Sequence, residues 1–165
     1  MNGHLLSGHT HCYGDYVSTD EIMPLGGVPK KTDELAQYVM TGIDPQFPQS
    51  MTPGDFIVAG LGFGSGSSRE SAALGLKQAG VGAIIAQSFG RIFYRNCVNI
   101  GLLPLVCSEA GNIPNNVAIQ VNFTTATIVL SDAKTLNFMS PQGIAADIVA
   151  ANGLMAYLKK REWIW

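Results

Sequence analysis

Residues 60–80 read GLGFGSGSSRESAALGLKQAG, the one dense Gly/Ser run in the chain, and place three groups capable of chemistry side by side: Ser67, Ser68 and Arg69. A short apolar segment precedes the run and a helical period follows it. Glycines let a backbone approach a ligand closely, and the first N–H groups of a helix point outward at the positive end of its dipole. Such a junction suits an anion. Arg69 adds a planar fork matched to a carboxylate, with charged hydrogen bonds worth about 1.5–3 kcal/mol against about 0.3–1 kcal/mol for the dipole alone. A carboxylate-bearing ligand is favoured, and a phosphate stays open. The same residues also spell a capping box, in which Ser67 caps the helix and Glu70 caps back. Both roles can hold together. The box alone explains neither Gly62, Gly64 and Gly66 nor an arginine in the first turn, where its charge opposes the dipole.

Familiar glycine motifs do not fit. A phosphate-binding P-loop needs a lysine before the helical Ser/Thr, and after Arg69 the next cation is Lys77. None of Gly60, Gly62 and Gly64 has partners at both offsets of the dinucleotide fingerprint G-x-G-x-x-G. The nucleophile elbow G-x-S-x-G is absent around Ser65, Ser67 and Ser68. NTPase, dehydrogenase and α/β-hydrolase readings lose their main support.

Other chemistry-bearing residues read more simply. His9 and His11 share one face of an extended strand while Cys12 takes the other, so no metal site is expected in this chain. Arg91, Arg95 and Asn96 fall on one helix and read as partners in structural salt bridges or hydrogen bonds; Cys97 and Cys107 read as small buried apolar residues. Trp163 and Trp165 could pin the tail to the core or contact another subunit. The net charge is −2, with 10 Lys and Arg against 12 Asp and Glu, which gives no electrostatic case for nucleic acid. Only 13% of residues are charged and 47% are hydrophobic, a balance that suggests a surface partly covered by another subunit, with self-association open. Three scattered cysteines suit a reducing cytoplasm. No charged-then-apolar leader and no apolar run of about 20 residues appears, so a soluble, non-membrane protein is expected.

The elements that position the loop follow from periodicity. Residues 4–13 read as a strand; TDELAQYVMTG as a short helix with Leu35, Ala36, Val39 and Met40 on one face; DPQFPQSMTPGD as a connector. FIVAG (56–60), AIIA (83–86) and LPLV (103–106) are short apolar strands separated by helices, one running to about Ala79 and one over SFGRIFYRNCVNIG. This alternation predicts a parallel α/β core in one domain over residues 1–165. VAIQVNF and ATIVL alternate like antiparallel strands, and Ser140, Pro141 and Gly153 frame one final helix.

Several stretches in order resemble the small subunit of isopropylmalate isomerase and homoaconitase, which is similar to the swivelling C-terminal domain of aconitase. They are GDYVSTDEIMP (14–24), TDELAQYVMTGIDPQF (32–47), PGDFIVAGLGFGSGSSRE (53–70), AIIAQSFGRIFYRNCVNIGLLPL (83–105) and the C-terminal NGLMAYLKKR. The resemblance implies a swivelling β/β/α domain whose central sheet contains parallel strands flanked by helices. It also implies one part of a heteromeric hydro-lyase acting on a 2-hydroxy dicarboxylic acid, with a [4Fe-4S] cluster in a separate large subunit and no cofactor here. By the same resemblance Ser67 is the base that removes the substrate proton. Ser68 and Arg69 hold a substrate carboxylate, Asp20 lies at the site's edge, and Thr19 supports the loop.

Two departures stand out. Ser71 follows Glu70 where the family usually has histidine. Gly26, Gly27 and Val28 stand where isopropylmalate and homoaconitate enzymes commonly carry an Arg-Tyr-Leu segment, leaving Lys30 or Lys31 to read a distal carboxylate, or a substrate that has none, such as a methyl-substituted malate. A non-catalytic carboxylate-binding or regulatory module of the same fold is the alternative reading.

Overall fold

FIVA and AIIA are apolar at every position, as befits strands covered on both faces, whereas the later strands alternate. The computed structural model, which describes residues 5–24 and 32–161, bears out that difference. Seven strands form one curled sheet: β1 (Leu5–Cys12), β2 (Phe56–Ala59), β3 (Ala83–Ala86), β4 (Pro104–Val106), β5 (Ala118–Asn122), β6 (Thr127–Leu130) and β7 (Thr135–Asn137). Their order is β4-β3-β2-β1-β5-β6-β7. β1 to β4 pair in parallel, with His11 opposite Ile57 and Ile57 opposite Ile84; β1, β5, β6 and β7 pair antiparallel, with Ser7 opposite Gln120. The chain just beyond β7 then meets the far edge: Val106 and Met139 exchange both backbone hydrogen bonds, at 2.9 and 2.7 Å. One bridge thus ties the two ends of the curled sheet together.

One face of the curl makes a core of its own from Phe56, Val58, Ile85, Leu105, Val121, Ile128 and Leu136. The other face of the parallel half packs Ile57, Ala59, Ile84 and Ala86 against α3 (Glu70–Ala79) and α4 (Arg91–Ile100) through Ala72, Leu76, Phe93 and Cys97. Each such large side chain contributes about 1.5–3 kcal/mol when removed from water. Both helices end on a left-handed glycine, Gly80 and Gly101. Lys77, near the end of α3, donates to the Ile100 carbonyl at the end of α4 and to Asn152 Oδ1 at 2.7 Å. No helix among the described residues is long and apolar enough to cross a membrane.

Several expectations need correction. TDELAQ forms a 3-10 turn over Thr32–Gln37, and Met40 at φ 64° stops any continuation; Leu35, Val39 and Met40 are nevertheless buried. The connector holds a one-turn helix, α2 (Phe47–Ser50), which buries Phe47. The single C-terminal helix is two, α5 (Ile144–Ala150) and α6 (Leu154–Lys160): Gly143 rather than Ser140 starts the first, and Gly153 both closes the first, its N–H bonding the Ile148 carbonyl at 2.9 Å, and starts the second. Arg91 and Arg95 are exposed and form no ion pair among the described residues. Trp163 and Trp165 lie outside the described residues.

His9 and His11 do share a face, and it meets Asp55 at the entry to β2. This carboxylate, 5% exposed, accepts from the His9 and Thr52 N–H groups at 2.8 and 2.9 Å and lies 3.2 Å from His11 Nε2. Burial pushes its pKa up, but those two N–H groups and His11 more than offset it, and the carboxyl sits below its usual range. A depressed folded pKa stabilises the fold above the ordinary carboxylate range of about 4 and loses that stabilisation as pH falls through it. Asp55→Asn is therefore expected to cost about 1–3 kcal/mol at pH 7 in denaturant unfolding, with the gap to wild type closing below about pH 4. A gap constant down to pH 3 would contradict this.

Candidate active site

The carboxyl ends of β1, β2 and β3 all run into loops on one side of the sheet, the position where open parallel sheets hold ligands. Residues 13–20, 60–69 and 87–90 are stitched together there by backbone hydrogen bonds: Tyr16 N–H to the Leu61 carbonyl at 2.6 Å, Gly64 N–H to Val17 at 2.8 Å, Thr19 N–H to Ser65 at 2.8 Å and Gly90 N–H to Phe63 at 2.9 Å.

A local device aims the Thr19-Asp20 pair. Ser18 and Glu21 form a reciprocal capping box at the head of α1 (Thr19–Ile22): Ser18 Oγ accepts from the Glu21 N–H at 3.2 Å, and Glu21 Oε2 accepts from the Ser18 N–H at 2.7 Å. The N–H and hydroxyl of Ser18 hold the Glu21 carboxyl below its usual range. Thr19 is thereby turned inward, 1% exposed, with Oγ1 lying 3.2 Å from both the carbonyl and the Oγ of Ser67. Asp20 faces outward beside it.

Ser67 does not cap α3. The N-cap is Arg69, and no side chain caps that helix, so its first-turn N–H groups keep their capacity for a ligand. The Arg69 N–H instead bonds the Ser67 carbonyl at 2.9 Å, a tight turn that throws Ser67 clear of the helix and leaves its hydroxyl outside any cap. The sequence offers S-x-x-E twice, at 18–21 and 67–70, and tertiary contact selects the first. Arg69 Nη1 donates to the Met23 carbonyl at 3.2 Å and pairs with Asp20 Oδ1 at 2.7 Å. The same Asp20 oxygen lies 3.5 Å from Ser67 Oγ. An acceptor from α1 and the backbone of Met23 thus answer the charge that opposes the dipole.

Ser67, Arg69, Thr19 and Asp20 come together, as the sequence suggests. Ser68 is exposed, and its side chain has no partner among the described residues. Gly26, Gly27, Val28, Lys30 and Lys31 lie outside the described residues. Met23, whose carbonyl anchors the guanidinium, is a contact at this candidate site that the sequence gives no sign of, because it is made through the backbone. Among the described residues no cluster of three or more His, Cys, Asp or Glu side chains could hold a metal ion. The cysteines are far from a cluster's ligand set: Cys97 is buried in the helix-side core, Cys107 in the core inside the curl, and Cys12 Sγ donates to the Ile113 carbonyl at 3.5 Å. Burial pushes the Cys97 and Cys107 thiols up, away from the thiolate that iron requires.

Comparison with known proteins gives a consistent set of relatives. Residues 19–110 match the Aconitase C-terminal domain family. The chain is 43% identical over 163 residues to the methanogen homoaconitase small subunit of Methanocaldococcus jannaschii, covering 97% of this chain and 95% of the relative. It is 44% identical over 160 residues to the isopropylmalate/citramalate isomerase small subunit of the same organism, covering 95% of each. A crystal structure of 3-isopropylmalate dehydratase from M. jannaschii superposes with a TM-score of 0.93 at 41% identity, covering 98% of this chain and 97% of that one.

Proposed function

The chain belongs to the aconitase C-terminal domain family, as a small subunit of the isopropylmalate isomerase and homoaconitase type, and from that premise we propose that it supplies the proton-transfer half of a two-subunit hydro-lyase. The substrate class is a 2-hydroxy dicarboxylic acid. One observation carries the reading: an exposed serine hydroxyl stands beside a guanidinium anchored by the Met23 carbonyl, at the uncapped head of a helix.

Eliminating water from such an acid needs removal of a weakly acidic C–H proton beside a carboxylate. Arg69 binds that carboxylate, and Ser68 offers a second donor from the same turn. The C–H bond is thereby placed toward Ser67 Oγ, which takes the proton. A serine is a poor base until its oxygen is favoured as an anion, and the guanidinium and helix N-terminus supply that field. Thr19, buried beneath, fixes the height of Ser67 through the Ser67 carbonyl. In the reverse direction the same hydroxyl returns the proton.

Departure of the substrate hydroxyl needs a Lewis acid. Among the described residues no set of side chains fits an iron–sulfur cluster, and a large subunit carrying a [4Fe-4S] cluster would supply that function. The exposure of Ser67 and Ser68, and of Tyr16 and Leu61 in the loops at the same end of the sheet, suits a site completed by another protein surface. Anaerobic mixing with the cluster-bearing subunit is expected to give hydration of at least one of isopropylmaleate, cis-homoaconitate, dimethylmaleate and citraconate. No activity on any diacid, with the partner's cluster intact, would overturn the assignment in favour of a carboxylate-binding module.

A further inference from the structure

The contact between Asp20 and Arg69 is unlike the contacts of Asp55 and Glu21. Asp55 is buried and held by three groups, and Glu21 is held by both the N–H and the hydroxyl of Ser18. Asp20 is 61% exposed on its side chain, and a single oxygen, Oδ1, makes both of its contacts, 2.7 Å to Arg69 Nη1 and 3.5 Å to Ser67 Oγ. Arg69, by contrast, is only 19% exposed and is tied to the protein independently through the Met23 carbonyl. Of the two partners, Asp20 is the one free to leave.

Its position is awkward for the chemistry. A carboxylate cannot itself bind a substrate carboxylate. It also neutralises the guanidinium that should bind one, and a negative charge 3.5 Å from Ser67 Oγ opposes formation of a serine oxyanion. These costs vanish if a substrate carboxylate takes the place of Asp20 at Arg69.

We propose that Asp20 is an internal stand-in for the substrate carboxylate: it occupies Arg69 in the free subunit and swings into solvent when a dicarboxylate binds. This rests on the reading of Arg69 as the carboxylate site, and it gives Asp20, at the site's edge, a role that ends when substrate binds. Because the pair is exposed at Asp20, breaking it costs little, and Asp20 sets a small, salt-sensitive penalty on anion binding.

The test is a titration of the full-length chain with succinate, followed by the backbone 15N–H resonances of residues 60–69 in wild type, Asp20→Asn and Arg69→Lys, and by the Arg69 Nε–H resonance in the two that keep the arginine. Asp20→Asn keeps size and hydrogen bonding but removes the charge. It is expected to bind succinate about two- to fivefold more tightly at low salt, with the advantage fading as salt is raised. Without succinate, the Arg69 Nε–H of Asp20→Asn should shift away from its wild-type position, marking a guanidinium freed of its charged partner. Weaker binding in Asp20→Asn would make Asp20 a positioning residue that holds Arg69, and unchanged binding would make the ion pair incidental; either result overturns the proposal. Arg69→Lys should bind succinate more weakly than wild type; equal binding would place the carboxylate elsewhere and overturn it too. The assignment of Ser67 as base stands or falls separately, since it is read from turnover and this from binding.

Discussion

Replacing Ser67 by alanine is expected to lower turnover of the two-subunit complex by at least about a hundredfold, the lower end of what a positioned acid–base group contributes. Stability should scarcely change. The side chain is exposed, it caps no helix, and its partners are a 3.2 Å contact to the Thr19 hydroxyl and a 3.5 Å contact to Asp20. Thr19 is the only buried group among them, and it keeps the Ser67 backbone carbonyl at 3.2 Å as an acceptor, so alanine leaves no buried polar group without a partner. A substitution of this kind falls within about 0.5 kcal/mol of neutral. The measurement pairs thermal unfolding of the variant subunit with initial rates after anaerobic reconstitution. Near-normal turnover with an unchanged melting curve would remove Ser67 as the base. Loss of turnover accompanied by a lowered melting temperature would show that the loop itself had been damaged, and a Ser67→Thr variant, which restores a hydroxyl, would then separate the two effects.

How far the site can be read from the sequence depends on what each residue answers to. FIVA and AIIA are legible as doubly covered strands because both faces demand apolar side chains, and the alternation of AIQVN reports an outer face left uncovered. The Gly/Ser run is legible as a specialised loop because a helix cap would not need so many glycines, and Gly62, Gly64 and Gly66 all adopt positive φ. The choice of cap is not legible, since Ser18–Glu21 and Ser67–Glu70 have identical spacing. The winner is decided by Ser18 pairing with Ser65 across the loops, a contact 47 positions apart in the chain. For the same reason closure of the sheet at Val106 and Met139 leaves no local trace: a single bridge makes no strand pattern. Gly153 punctuates the C-terminal helices as the sequence suggests, closing the first through its N–H to the Ile148 carbonyl, but it also opens a second helix that the sequence reading does not separate. The placement of Arg69 against Asp20 follows only once both loops are built.

Gly64→Ala is expected to produce the largest loss of stability of any change in the loop. Gly64 has φ +75°, where an L side chain is strained by about 1–2 kcal/mol. A Cβ there would stand 2.2 Å from Cγ of Phe93 and 2.4 Å from its Cδ1. Phe93 cannot withdraw: it is 1% exposed, in the helix-side core, with its ring edge-on to Phe63 at a centroid distance of 5.5 Å. Nor can the loop lift away without losing the Gly64 N–H bond to Val17 at 2.8 Å. On the far side the chain is crossed by Gly90, whose own Cβ would meet the Gly64 carbonyl oxygen at 2.5 Å. Overpacking of this kind adds about 1–3 kcal/mol, so the sum is about 2–5 kcal/mol. For a chain of this size that lowers the melting temperature by roughly 5–15 °C. Gly66→Ala provides the contrast: φ is +104°, but the nearest atom to its Cβ is Thr19 Oγ1 at 3.5 Å, an ordinary contact, so only the conformational part applies. A Gly64→Ala protein melting within a degree or two of wild type would mean that the loop yields easily around Phe93. The clash predicts otherwise. The glycines at this end of the sheet are where two loops and a helix cross without room for a methyl group, and the rigidity of that crossing holds Ser67 at a fixed height above Thr19.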